Sequence, residues 1–358
     1  AWIYERTFDV PAEWLQRQRV LLCCDGLDTF ATVRINGKLA GKADNMFRRW
    51  EFDARDLLRP GENRIEVRFD SVLPHMRKRQ KQRPLVSPVH QPWEPHGRVY
   101  VRKEQCNFGW DWGPVLVTCG IWRSIKLLAF DTARLTDVHI RQDHSPRGAV
   151  DLTVAVEAER LARGPLTARV TTKLDSFSFV TSEEKLRGNK AKLSLRIPDP
   201  KLWWPNGMGD QTLYDVKVDL CFDNGEVVDS LSRRIGLRTL QLRRRDDRWG
   251  ESFEFVVNGR PFFAKGANWI PADSFSTRVT PEHLRHLLGS AAAAHMNMIR
   301  VWGGGYYESD PFYDLCDELG LCVWQDFMYA CSSFPTFDEA FMENVRLEAE
   351  DNVRRLRH

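Results

Sequence analysis

The hydrophobic period of the chain changes once, near residue 241, and that change limits the architectures open to it. Before it, short segments alternate apolar and polar residues at every second position. After it, short apolar runs alternate with stretches whose apolar residues recur every three or four positions. A period of two belongs to half-buried strands and a period near 3.6 to amphipathic helices, so the two parts cannot share one kind of layer. With 358 residues there is room for two or three domains. The pattern sets them at 1–129, 130–240 and 241–358.

Residues 1–129 read as all-β. Val33-Arg34-Ile35 followed by Asn36-Gly37 is a hairpin with a type I′ turn. Arg64 to Phe69 alternates as a half-buried strand does, after a Pro60-Gly61 turn, and Ile121 to Leu127 closes the block. A jelly-roll sandwich fits. Met76 to Arg83 is a basic run without interleaved aromatic residues and reads as a solvated loop or short helix. The Pro- and His-rich residues 84–98 extend that loop. Residues 130–240 are a second β block, with clean alternation in Val150–Val156 and Leu193–Ile197. It has an Asn224-Gly225 hairpin and a Trp-anchored turn at Leu202–Gly207. An immunoglobulin-like sandwich fits, and nothing in it carries chemistry.

From 241 onward a hairpin across Asn258-Gly259 leads into a short buried strand. Thr280-Pro281 then opens a helix, Thr as N-cap and Pro in the first turn. Met298 to Trp302 is a second strand. Asp310-Pro311 opens a second helix that Gly320 ends, Leu321 to Trp324 is a third strand, and a third helix starts near Asp338. Three βα units of this kind make a parallel sheet. A doubly wound sheet would carry a Gly-rich phosphate turn after its first strand. Gly303-Gly304-Gly305 instead follows the second strand and runs into Tyr306-Tyr307 rather than a helix start. The pattern therefore points to the first three units of a (β/α)8 TIM barrel.

Composition removes several function classes. No run of eighteen apolar residues exists, so no membrane partner is expected, and a net charge of +3 is too small to imply nucleic acid. The eight cysteines lack CxxC spacing and no N-glycosylation sequon is present, which favours reduced thiols and a cytoplasmic setting. His283 and His286 have no matching acid, so no metal is expected; no cofactor motif and no nucleophile elbow appear. The chain begins within a strand pattern and stops within a helical one, and both ends read as cut.

The chemistry concentrates in Glu104–Gly120, where Asp111 sits between Trp110 and Trp112, flanked by Gly109, Gly113 and Pro114. Pro and paired Gly exclude strand core, and two indoles are costly to leave in water. A carboxylate framed by rings suits a sugar, whose hydroxyls donate to the acid while its C–H face packs on the indoles. The plain alternative is a buried Trp corner whose Asp satisfies backbone N–H groups. A second cluster weighs against that alternative. In a TIM barrel, function sits at the C-terminal ends of the strands. Those ends would supply Lys265, Asn268 and Trp269, then Arg300 and Trp302, then Gln325, Asp326 and Tyr329. Arg300 could equally pair with Asp326 as a structural bridge.

Trp110-Asp111-Trp112-Gly113-Pro114, Lys265-Gly266-Ala267-Asn268-Trp269-Ile270-Pro271, Arg300-Val301-Trp302-Gly303-Gly304-Gly305 and Trp324-Gln325-Asp326-Phe327 together make the chain resemble β-mannosidases of glycoside hydrolase family 2. The resemblance runs over essentially the whole length in the order jelly roll, immunoglobulin-like sandwich, barrel. It implies an exo-acting retaining enzyme that removes terminal non-reducing β-D-mannose from a β-mannoside oligosaccharide. It implies that Trp110, Asp111, Trp112, Asn268, Arg300, Trp302 and Asp326 bind the substrate. Retention needs two carboxyl groups about 5–5.5 Å apart. In the family both are Glu from later strands, so no catalytic residue is expected in this chain and the chain alone should be inactive. A non-catalytic carbohydrate-binding protein, or a family 2 β-glucuronidase or β-galactosidase, is the alternative.

Overall fold

A computed structural model describes residues 1–88, 92–145, 147–174 and 179–358. Residues 89–91, within the Pro- and His-rich stretch, lie outside the described residues. In the first sandwich, Asn36 and Gly37 take φ of 50° and 79°, the left-handed pair that a type I′ turn requires, and Ile35 pairs with Lys38 across it. That hairpin is one edge of an antiparallel sheet ordered Trp2–Val10, Gly61–Asp70, Phe30–Ile35, Lys38–Ala43. A second sheet, Trp50–Asp53, Arg19–Cys24, Ile125–Phe130, faces it. Alternate residues Val33, Ile35, Val67 and Phe69 point inward and meet Leu22, Cys24 and Leu27. Each such burial contributes about 1.5–3 kcal/mol.

Between Asp70 and Ile125 the chain leaves the sheets. The basic run lies on helix α1 (Leu73–Gln82), with Pro74 in its first turn. Met76 is fully buried against Val72, Val101 and Phe108. The helix is anchored by its first turn, where Leu73 and Met76 find a core, while the basic side chains stay outside.

The second sandwich stacks Ala133–Asp143, Ala149–Arg160 and Lys190–Pro198 on a sheet ordered Phe179–Lys185, Leu166–Lys173, Leu213–Phe222, Val227–Gly236. The alternating residues of Val150–Val156 and Leu193–Ile197 fill its core with Val170, Val216 and Val218. Its Trp-anchored turn docks the last region. The Trp203 indole N–H donates to the Asp317 carbonyl at 2.8 Å, and the Asn206 amide donates to the carbonyls of Ala292 and Met296 at 2.8 and 2.9 Å.

The last region holds three parallel strands, Gly266–Trp269, Met298–Val301 and Cys322–Gln325, in that order. Helix α2 (Pro281–Ala293) is capped by Thr280, whose hydroxyl accepts from His283 N–H at 3.2 Å. Helix α3 (Asp310–Leu319) ends at Gly320 with φ of 72°. Helix α4 (Glu339–Leu356) starts at Asp338. Ile299 and Val301 pack on Leu284 and Leu288 of α2 and on Phe312 and Leu315 of α3, so both helices cover the same face. The opposite face carries Asn268, Arg300 and Trp324, aligned across the three strands.

Two expectations need correcting here. The first parallel strand begins at Gly266, so Lys265 precedes it; its carbonyl accepts from Asn297 and Met298 at the N-terminal end of the sheet, away from the rim. That strand is also exposed along Gly266–Asn268 rather than buried, because it is the edge of the three-stranded sheet. No helix is long and apolar enough to cross a membrane among the described residues.

Candidate functional site

The segment 104–120 is an excursion braced at its base and open at its tip. Phe108 bridges Val115, and Trp110 and Gly113 exchange backbone hydrogen bonds at 3.1 and 3.2 Å, so Asp111 and Trp112 stand at the turn. Gly109 has φ of 105°, and a Cβ there would lie 2.6 Å from Glu94 Cγ, so only glycine fits. At the base, Lys103 donates to the Asp28 carboxylate and, at 3.1 Å, to the Thr118 hydroxyl. Thr118 donates onward to Asn107 at 3.0 Å. Arg98 lies over the Trp110 ring, 4.8 Å from its centroid, and donates to the Gly109 carbonyl at 3.2 Å. Asp111 itself is exposed and makes no hydrogen bond or ion pair among the described residues. The carboxylate therefore does not serve the backbone, which removes the plain reading of the motif.

Trp302, just past the second parallel strand, enters from the other side. Its ring meets Trp110 at 4.7 Å and 70°, and Trp112 at 5.8 Å and 71°, both edge to face. Trp110 is buried while Trp112 remains 44% exposed, so the cluster has a packed base and an open indole beside Asp111. Gly304 admits this arrangement, since a Cβ there would sit 1.8 Å from the Trp302 ring. Its carbonyl accepts from Cys106 N–H at 2.9 Å, stitching the two domains together under the cluster. Gly304→Ala is expected to displace Trp302. The tryptophan near-ultraviolet circular dichroism should change and the melting temperature fall, by an overpacking cost of about 1–3 kcal/mol.

The polar half of the site lies on the uncovered face of the parallel sheet. Arg300 grips Asp326 with both ends of its fork, Nη2 to Oδ2 at 2.7 Å and Nε to Oδ1 at 3.2 Å, and Gly303 N–H adds a bond to Oδ2 at 3.1 Å. The Arg300 Nη1 donates to the Asn268 side-chain oxygen at 3.1 Å. The bridge anticipated between Arg300 and Asp326 thus exists, and it stands at the rim, two residues from Trp302. Asp326 is occupied in orienting Arg300, whose side chain remains 41% exposed. Asn268 has its oxygen taken and its amide N–H donors uncommitted among the described residues.

Three other rim candidates face elsewhere. Trp269 turns toward the helices, donating to Glu308 at 2.8 Å and packing on Phe312. Gln325 bonds the Tyr313 hydroxyl of α3 at 2.5 Å. Tyr329 stacks under Arg102, 4.5 Å from ring centroid to guanidinium. The structure brings Trp110, Trp112 and Trp302 into contact, and links Asn268, Arg300 and Asp326 by hydrogen bonds.

Beneath the cluster lie two buried carboxyl groups that the sequence did not single out. Burial pushes Glu104 up to about 7 against the opposing pull of Lys103, and Glu308 up to about 7 against its bond from Trp269. Both therefore hold protons in the folded state that the unfolded chain releases near its ordinary value of 4.5. A raised carboxyl pKa stabilises fully below the unfolded value and loses that contribution as pH rises through the folded one. Relative to a Glu104→Gln/Glu308→Gln variant, the wild type is expected to lose melting temperature between about pH 5 and 7 and to hold a constant gap above it. Thermal unfolding across that range checks it.

Comparison with known proteins is consistent along the chain. The Glycosyl hydrolase 2 galactose-binding domain-like family matches residues 1–123, and Glycosyl hydrolases family 2 matches residues 133–238. β-Mannosidase B of Emericella nidulans is 41% identical over 364 aligned residues, covering 100% of this chain and 42% of that protein. β-Mannosidase B of Aspergillus niger is 37% identical with the same coverage. The chain thus spans less than half the length of the curated relatives it matches. The crystal structure of β-D-mannosidase from Dictyoglomus thermophilum superposes with a TM-score of 0.92 at 43% identity, over 99% of this chain and 44% of that one. An exo-chitosanase of Amycolatopsis orientalis, 18% identical with a TM-score of 0.75, shares the fold. Two consecutive domains of one family, in sequence and in the order of their sandwiches, place the chain in glycoside hydrolase family 2.

Proposed function

We propose that this chain is the N-terminal portion of an exo-acting retaining β-mannosidase, and that it supplies one wall of the site for a terminal non-reducing β-D-mannose. One observation carries the reading: an exposed carboxylate, Asp111, held between indoles that close on Trp302 from another domain. In this reading residues 1–129 are the jelly roll, 130–240 the immunoglobulin-like sandwich, and 241–358 the first three units of a (β/α)8 barrel. Two helices on one face of the parallel sheet and a polar opposite face support the barrel over a doubly wound sheet.

Each residue has a part. Asp111 accepts hydrogen bonds from sugar hydroxyls. Trp112 packs on the apolar face of the ring, with Trp110 and Trp302 fixing its position. Arg300 and Asn268 donate to further hydroxyls, and Asp326 aims Arg300. An acceptor that a bound sugar covers is costly to leave unpaired, so Asp111 discriminates between sugars that differ at one carbon. The acid/base and nucleophile that double displacement requires are assigned to no residue here. The complete polypeptide is expected to hydrolyse p-nitrophenyl β-mannoside with retention and the isolated chain to be inert. Binding of mannosides by the complete polypeptide without hydrolysis would replace the enzyme reading with that of a binding module. Faster turnover of a β-glucuronide or β-galactoside would reassign the sugar.

A further inference from the structure

The loop after the third parallel strand, residues 326–338, begins with the carboxylate that holds Arg300 and ends with the cap of α4. The first sandwich holds this loop from outside. The Arg102 Nη1 donates to the Met328 carbonyl at 3.0 Å, and the guanidinium lies 4.5 Å from the Tyr329 centroid and 5.9 Å from that of Phe334. Ser333 N–H donates to the Val86 carbonyl at 3.1 Å, and Arg79 pairs with Asp338. Arg102 is itself aimed by Glu348 of α4. Its Nε and Nη2 meet the two carboxylate oxygens at 2.8 and 2.6 Å. Asn45 and the Tyr307 hydroxyl complete the Glu348 oxygens at 2.9 and 3.1 Å. Both side chains are 1% exposed.

A fully buried ion pair is a poor device for stability alone, because an apolar pair of similar volume does as well or better. What the apolar pair lacks is direction. A guanidinium fork held at two corners by a carboxylate points its third corner at a fixed place, here the backbone two residues beyond Asp326. We propose that Arg102, oriented by Glu348, is a positioning residue for the sugar site: it sets the 326–338 loop so that Asp326 presents Arg300 to the substrate. This rests on the glycosidase reading of that site.

The test uses the complete polypeptide in two forms. Arg102→Met/Glu348→Leu removes both charges at similar volume. Arg102→Lys keeps the charge but not the fork. Each is assayed on p-nitrophenyl β-mannoside at a temperature where it is fully folded. Each is also digested with chymotrypsin, for which Phe327, Tyr329 and Phe337 offer cleavage sites in the loop. The expected result is a fall in kcat of about a hundredfold in both variants, the scale of a misplaced site group, with faster cleavage between 326 and 338. A folded variant with wild-type kcat and unchanged cleavage overturns the proposal. If the double variant does not fold, Arg102→Lys decides by the same two readouts. If the wild type hydrolyses no glycoside, the glycosidase reading fails separately, and the cleavage rates still decide whether Arg102 holds the loop.

Discussion

Asp111→Asn in the complete polypeptide is expected to lower turnover of p-nitrophenyl β-mannoside by about a thousandfold while leaving the melting temperature unchanged. The two halves of that expectation have separate causes. The side chain is exposed and bonds no protein group among the described residues, so the fold loses nothing when its charge goes. Asn is the same size and cannot act as a charged acceptor. A charge-assisted bond that strengthens in the transition state is worth about a hundred- to a thousandfold, and a site matched to a hydroxyl pattern adds to that. Steady-state kinetics beside a thermal melt separates the effects. Unchanged kinetics would remove Asp111 from the site, and with it the main support for a sugar-binding wall.

The second large effect is on stability. Lys103 is 0% and Asp28 5% exposed at the side chain, and they pair beneath the excursion that carries Asp111. Lys103→Met leaves the Asp28 charge buried without its partner. Removing one member of a buried pair costs about 3–5 kcal/mol, much of it the penalty on the orphaned charge. The melting temperature should fall by about 10 °C, at about 2–4 °C per kcal/mol for domains of 150–250 residues. Adding Asp28→Asn removes the orphaned charge and should recover most of the loss. Failure of the second change to recover stability would show that Lys103 acts through its stem packing or its Thr118 bond rather than through charge. Activity should also decline in the single variant, because Thr118 and Asn107 brace the turn that presents Asp111.

Much of this molecule could be read without coordinates, and the reasons are local. Asn36-Gly37 and Asn258-Gly259 announce hairpins because both residues of each pair must take positive φ, at 50° and 79° and at 47° and 78°. Thr280-Pro281 and Gly320 delimit helices because caps depend on a few adjacent residues. The Trp-Asp-Trp turn was legible as a candidate site because its composition suits neither a core nor a solvated loop. The basic run Met76–Arg83 was less legible: the burial of one methionine decided helix over loop.

The rim of the parallel sheet shows where sequence reasoning stopped. Asn268 and Trp269 are neighbours, as are Trp324 and Gln325, yet in each pair one member faces the open side and the other the helices. Strand parity is absolute, so an error of one residue in a strand boundary exchanges the faces, and boundaries are what sequence patterns define least well. Glu348 and Arg102 stand 246 positions apart, and nothing near either predicts the other. Nothing local to Trp302 shows that its ring will meet Trp110 and Trp112 edge to face. By itself the sequence determined the period of each region, the turns and caps that delimit its elements, and the residue types able to hold a sugar. The tertiary structure alone decided which of those residues share a face, and which buried charges from separate domains were brought together. Such pairings arise from the packing of whole domains and leave no trace in local spacing.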